Sequence, residues 1–137
     1  MSKQLIKGKA KEHEFASLFP SEDVVFANEH EDKYEHWDLS IKGIGKIDVK
    51  GIKVKDENIH FIETISRSGK PGWVFGKADI IAFETINYWI LVERKKITDL
   101  IKRKSFKAIS TENGEILVVP TLTLCFLSLG MLHKTKD

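Results

Sequence analysis

Over residues 8–19, long and apolar side chains recur at helical spacing, at Lys11, Phe15, Leu18 and Phe19. Pro20 closes the run, because the residue before a proline is pushed out of the helical region. An N-terminal helix is therefore expected. Residues 21–35 are polar and read as a loop around a short strand, Val24-Val25-Phe26. Beyond them the period changes to two. Residues 36–41 alternate, Gly43-Ile44-Gly45 makes a turn, and residues 46–54 alternate again, which predicts a hairpin. Residues 58–66 form a third expected strand after the turn Asp56-Glu57-Asn58. Residues 67–77 hold Gly69, Gly72, Gly76 and Pro71 but also Trp73, Val74 and Phe75, so they read as an ordered loop. Residues 78–83 and 88–92 are apolar, β-rich runs joined near Ile86-Asn87. A short basic helix over 97–104, a strand over 116–119 after an Asn113-Gly114 turn, and a last element opening at Pro120 complete the pattern. A helix, a run of strands and then a helix predict an α/β or α+β domain with a central mixed sheet flanked by helices.

Composition narrows the classes. At 137 residues, 31% charged and 42% hydrophobic, the chain suits one compact domain spanning 1–137. Three prolines and nine glycines exclude collagen-like and wholly disordered chains. The single cysteine, Cys125, excludes an internal disulfide scaffold and a four-cysteine zinc site, and it suits a reducing compartment. The five histidines form no HExxH pair, which speaks against zinc. The apolar run at 116–132 is broken by Pro120, Thr121, Thr123 and Ser128 and is shorter than the roughly 20 residues a bilayer requires. With no apolar leader in residues 1–7, the expected location is the cytoplasm of a bacterium, an archaeon or a phage-infected host.

The net charge of +2 hides an uneven distribution. Glu22, Asp23, Glu29, Glu31, Asp32, Glu35 and Asp38 stand against Lys33 alone. Arg94, Lys95, Lys96, Lys102, Arg103, Lys104 and Lys107 stand against Asp99 alone. Such polarity suits a protein that gathers cations at one place and a polyanion backbone at another.

The hairpin carries the candidate chemistry. Side chains two apart on a strand point the same way, so Asp48 and Lys50 project side by side, opposite Ile47 and Val49. A hairpin can bring Asp38 close to Asp48. Two carboxylates around one point suit magnesium, a hard cation that binds oxygen ligands and keeps waters for phosphate. The lysine beside it could hold or deprotonate an attacking water and neutralise developing charge. Glu14, one turn before Leu18 and beside the apolar face of the helix, offers a third carboxylate. The alternative is an exposed hairpin decorated with Asp48, Lys50 and Lys53 for solubility.

Glu14 on a helix, Asp38 opening one strand and Asp48-Val49-Lys50 on the next resemble the PD-(D/E)xK nuclease superfamily, most of all its archaeal and phage Holliday junction resolvases. The resemblance covers residues 8–93. Trp37 stands where the family pattern has proline, and Asp48 stands where resolvases usually carry glutamate. The resemblance implies a restriction-endonuclease-like fold and a metal-dependent endodeoxyribonuclease that leaves a 5′-phosphate. Glu14, Asp38, Asp48 and Lys50 would be its catalytic residues. Asp38, Asp48 and the Val49 carbonyl would hold magnesium, which manganese could replace.

Arg67, Lys70, Lys95, Lys96, Lys102 and Arg103 are candidates for DNA backbone contacts, and Trp73 could stack on an opened base. Glu63, an acid within an apolar strand, should pair with Lys50 or a neighbour or mark the rim of the centre, and Asp79 should be structural. A branched substrate has two strands to cut, so a homodimer is expected, with residues 120–132 in its interface. Other readings are a phage or mobile-element nickase, a restriction-type or repair nuclease, and a non-catalytic nucleic-acid-binding or inhibitor protein on a degenerate nuclease fold.

Overall fold

A computed structural model of the chain describes residues 3–53, 55–103, 106–112 and 114–134. Val54, Lys104 and Asn113, which belong to the expected hairpin, basic helix and turn, lie outside these described residues.

Helix α1 spans Lys3–Ala16, earlier at both ends than the periodicity implies. Leu18 and Phe19 still lie against the core, but their N–H groups reach back only three residues, to the carbonyls of Phe15 and Ala16 at 3.1 Å. Such three-residue bonds tighten the chain after the last α-helical turn. Strand β1 (Val24–Phe26) follows, and then a helical turn at Glu31–Glu35 that the polar composition of 21–35 conceals. Its start is a reciprocal cap. The Asn28 N–H donates to Glu31 Oε1 at 2.9 Å, and the Glu31 N–H donates to Asn28 Oδ1 at 2.8 Å. His36 ends the turn in the left-handed region at φ 59°, ψ 49°.

The expected hairpin forms but is shorter at its outer ends: β2 at Leu39–Ile41 and β3 at Gly45–Lys50 pair antiparallel with Leu39 opposite Ile47, and residues 36–38 and 51–53 lie outside the strands. Gly45 is required at its start, because its φ is +127° and a Cβ there would lie 2.6 Å from Asp79 Oδ2. That carboxylate accepts the Lys46 N–H at 2.8 Å, the structural role expected of Asp79.

The remaining elements are β4 (Ile59–Ile65), β5 (Ile80–Glu84), β6 (Tyr88–Glu93), α2 (Arg94–Arg103), β7 (Lys107–Thr111), β8 (Gly114–Pro120), α3 (Thr121–Leu127) and β9 (Gly130–His133). They form two sheets rather than one. The larger has the order β1-β2-β3-β5-β6-β9 and is mixed, because β3 and β5 run parallel; the smaller has the order β4-β8-β7. Parallel neighbours need a long crossover. Residues 51–79 supply it, and β4, carried within the crossover, pairs with β8 instead of entering the first sheet.

The mixed sheet separates two cores. On one face Phe15 and Ala16 of α1 cover Leu39, Ile41, Ile47, Val49, Ile80, Ala82 and Trp89. On the other, Ile81, Phe83, Ile90 and Val92 meet Ile62, Leu117 and Val119 of the second sheet, together with Val74, Ile97 and Leu124. The architecture is α+β, and no described helix is long and apolar enough to cross a membrane.

Candidate active site

Alternation along β3 decides where its charges go. Ile47 and Val49 face α1, so Asp48 and Lys50 face the second sheet beside Ile81 and Phe83, their partners on β5. Asp48 is therefore only 3% exposed. Its Oδ1 lies 3.2 Å from Lys50 Nζ, while its Oδ2 is buried with no hydrogen-bond partner among the described residues. An unpartnered buried carboxylate oxygen is costly and does not improve solubility, which removes the reading of these residues as surface decoration.

Lys50 is held in place from two sides. Its ammonium contacts Asp48 and lies 4.5 Å from the centroid of the Trp73 ring. Burial pulls its pKa down, but the charges of Asp48 and Asp38 outweigh burial and leave it raised. Lys50 is thus a cation at neutral pH.

Asp38 sits one residue before β2. Its N–H donates to the Ile47 carbonyl at 2.8 Å, and its Oδ2 accepts the Val49 N–H at 2.6 Å. These two bonds set it beside Asp48, as the hairpin expectation required. Burial and then the charge of Asp48 raise its pKa, against the opposing pull of Lys50 and the Val49 N–H.

The glutamate of α1 that lies with Asp38 is Glu12, not Glu14. Carboxylate oxygens of Glu12, Asp32 and Asp38 all lie within 4.8 Å of one another, an arrangement that could hold a metal ion. Glu14 points elsewhere, and its Oε2 accepts from Lys11 Nζ at 3.3 Å. Residues two apart on a helix are turned about 200° from each other, so one helix cannot aim both acids at one point. Docking through Phe15 and Ala16, three and four residues on, selects Glu12. Asp32 is not legible in the sequence because its segment reads as polar loop; its only local signal is the Asn28-x-x-Glu31 cap. The turn holding it is of the wide π type, a geometry often found at functional sites.

The electrostatics follow from crowding acids in a partly dry place. Burial, followed by the charge of Asp38 and a hydrogen bond with it, pushes Glu12 from its ordinary 4.5 up to about 8. Asp32 is raised mainly by burial and by its hydrogen bond with Asp38. Lys9 partly compensates, with its Nζ 3.7 Å from Asp32 and 3.9 Å from Glu12. The acids open into a cavity of about 610 Å³ that Val49, Lys50, Lys9, Lys11 and Lys53 also line.

The expected backbone-contact residues are only partly near it. Arg67 and Lys70 are exposed on a loop closed by the Ser66 N–H donating to the Lys70 carbonyl at 2.7 Å, and this loop leads into Trp73 beneath Lys50. Lys95, Lys96, Lys102 and Arg103 are exposed on α2 and line neither this cavity nor its neighbour. The reason is that α2 docks through Ile97 onto the core between the two sheets. Glu63 does not join the acids; its Oε1 accepts the Trp73 N–H at 3.3 Å.

No family model matches the chain, and neither a curated protein nor a solved structure matches it.

Proposed function

We propose that the protein is a metal-dependent DNA endonuclease, selective for structure rather than sequence. The observation that carries this reading is the convergence of Glu12, Asp32 and Asp38 at one cavity lined by lysines, with Asp48 buried beside Asp38 and paired to Lys50 at the cavity wall. Four carboxylates with raised pKa values, one of them bearing an orphaned buried oxygen, fit a hard divalent cation such as magnesium or manganese. Glu12, Asp32, Asp38 and Asp48 would hold it, with the Val49 carbonyl as a further donor. When bound, such an ion polarises a phosphoryl oxygen and lowers the pKa of water.

The chain's own residues supply the rest. Lys50, cationic and fixed by Asp48 and Trp73, offsets negative charge as it develops on the phosphoryl group; it serves as a positive donor rather than as a base. Lys9, Lys11 and Lys53 line the same cavity and suit the flanking phosphates. Hydrolysis of the phosphodiester would leave a 5′-phosphate.

A branched substrate calls for two centres and hence a homodimer. Residues 120–132 divide their side chains accordingly. Leu124 is buried, and Cys125, Leu127 and Leu132 pack on the core. Leu122, Phe126, Leu129 and Met131 remain exposed, with Phe126 at 83%. Edge strand β9 belongs to the same segment.

One observation favours a non-catalytic nucleic-acid-binding or inhibitor protein instead, namely that Lys9 already neutralises part of the acid cluster. A nicking assay with magnesium against chelator separates the two. The wild type should cut, Asp48→Asn should bind DNA without cutting, and Lys50→Ala should still take up metal yet be inactive, since lysine is not a ligand. Activity of Asp48→Asn within about tenfold of wild type, a barrier change of about 1.4 kcal/mol, would remove Asp48 from the centre. Linear, nicked, flap and four-way substrates then distinguish a junction resolvase from a nickase, a restriction-type enzyme or a repair nuclease.

A further inference from the structure

A second cavity, of about 590 Å³, adjoins the acid cavity and shares with it the wall made by Lys50, Gly51, Ile52 and Lys53. Its chemistry differs from that of the first. Aromatic side chains of Phe61, Trp73 and Tyr88 line it, Lys55 adds a further cation to those of Lys50 and Lys53, and Asp56, Glu57, Glu63 and Glu84 also stand in its wall. The polar groups of His60 in its wall are already committed, Nδ1 to Thr121 Oγ1 at 3.0 Å and Nε2 to the Glu84 carbonyl at 3.1 Å. Burial lowers the His60 pKa, so the imidazole adds no positive charge near neutral pH.

We propose that this cavity receives one unpaired nucleotide of the strand whose phosphate lies at the acid cluster. The proposal deepens the nuclease reading and rests on it for the position of the phosphate. Three features select this occupant. The volume lies within the range of about 300–1,000 Å³ typical of sites for small organic groups. Aromatic faces offer stacking that tolerates any base, and Lys50 and Lys53, on the wall shared with the acid cavity, suit the phosphate side of the nucleotide. Continuity through residues 50–53 puts the two cavities within reach of one nucleotide and its phosphate. A base held within a duplex cannot enter without being unstacked, whereas a base at a bulge or in a single-stranded flap is already free. Recognition of DNA structure would then come from this pocket, with no reading of base edges.

Binding without cleavage tests the proposal. Fluorescence anisotropy in chelator compares a paired duplex, the same duplex with one bulged nucleotide, and that bulge with its base removed. The bulge should bind roughly tenfold tighter than the paired duplex, a base–aromatic stacking effect, and removal of the base should abolish the preference. Phe61→Ala should bring bulge affinity down to duplex affinity while leaving the duplex affinity unchanged. Should that variant misfold, Tyr88→Leu at the exposed rim replaces it, and the abasic comparison needs no variant. A deoxynucleoside monophosphate that competes as well as the bulged strand would identify a free nucleotide as the occupant and overturn the proposal. Equal affinity for bulge and abasic bulge would overturn it as well. Cleavage in magnesium without any base preference sinks the pocket alone, whereas base preference without cleavage of any substrate sinks the nuclease reading alone.

Discussion

Asp38 Oδ2 accepts the backbone N–H of Val49 at 2.6 Å, and this bond ties the loop before β2 to the middle of the Asp48-Val49-Lys50 run. It uses one oxygen of Asp38 on the hairpin and leaves the carboxyl facing Glu12 and Asp32. The acid from the loop thus joins the acids of α1 and the helical turn to the acid of β3, and the charge pattern of the site depends on that single junction.

The division between the two glutamates of α1 is directly testable. Glu12→Gln should greatly reduce the rise in melting temperature on adding millimolar magnesium and should lower cleavage, since it removes a converging carboxylate. Glu14→Gln removes only a half-exposed ion pair with Lys11 and should stay within about 0.5 kcal/mol of wild type in stability, with metal response intact. Thermal denaturation of both variants with and without metal checks this; an intact metal response in Glu12→Gln would place the metal elsewhere.

Glu12 also imposes a pH dependence. An acid whose folded pKa is raised binds protons more tightly in the folded state. Its contribution to stability is fully present below its ordinary 4.5 and is lost as pH rises towards about 8. Without metal, Glu12→Gln should therefore gain stability relative to wild type as pH goes from about 4.5 to about 8. Parallel melting curves across that window would show that Glu12 is not buried against Asp38.

Salt dependence separates the two groups of bases. Lys9→Gln and Lys53→Gln, at the acid cavity, should each weaken DNA binding for unrelated sequences and lower the slope of log affinity against log salt by about 0.9 for each phosphate no longer neutralised. The same changes at Lys95, Lys96, Lys102 and Arg103 should alter the slope less, because α2 lines neither cavity. The reverse ranking would show that DNA lies across α2.

Assembly depends on the exposed side of α3 and the segment after it. Phe126→Glu or Leu129→Glu places a charge where the wild type exposes apolar surface, so each variant should fold and, if that surface joins the two copies, should be monomeric and nick without resolving. Light scattering at micromolar concentration checks this. A wild-type mass near 15.7 kDa would end the dimer proposal.

Alternation with period two, a property of neighbours along the chain, was enough to place Asp48 and Lys50 on one side of β3 and to bring Asp38 opposite, because pleating and hairpin register are local. The strands at residues 80–84 and 88–93 were legible for the same reason. Lys107–Thr111 was not, since its polar run has no partner until β8 is beside it. Nor could periodicity choose between Glu12 and Glu14, because both border the apolar stripe and only the docking of Phe15 and Ala16 fixes the rotation of α1. Asp32 enters the site from a turn twenty residues beyond Glu12, and the long crossover after β3 carries β4 into a second sheet that buries Asp48. These outcomes depend on contacts between segments far apart in the chain, whose energies are set by which surfaces meet and not by the order of residues within either one.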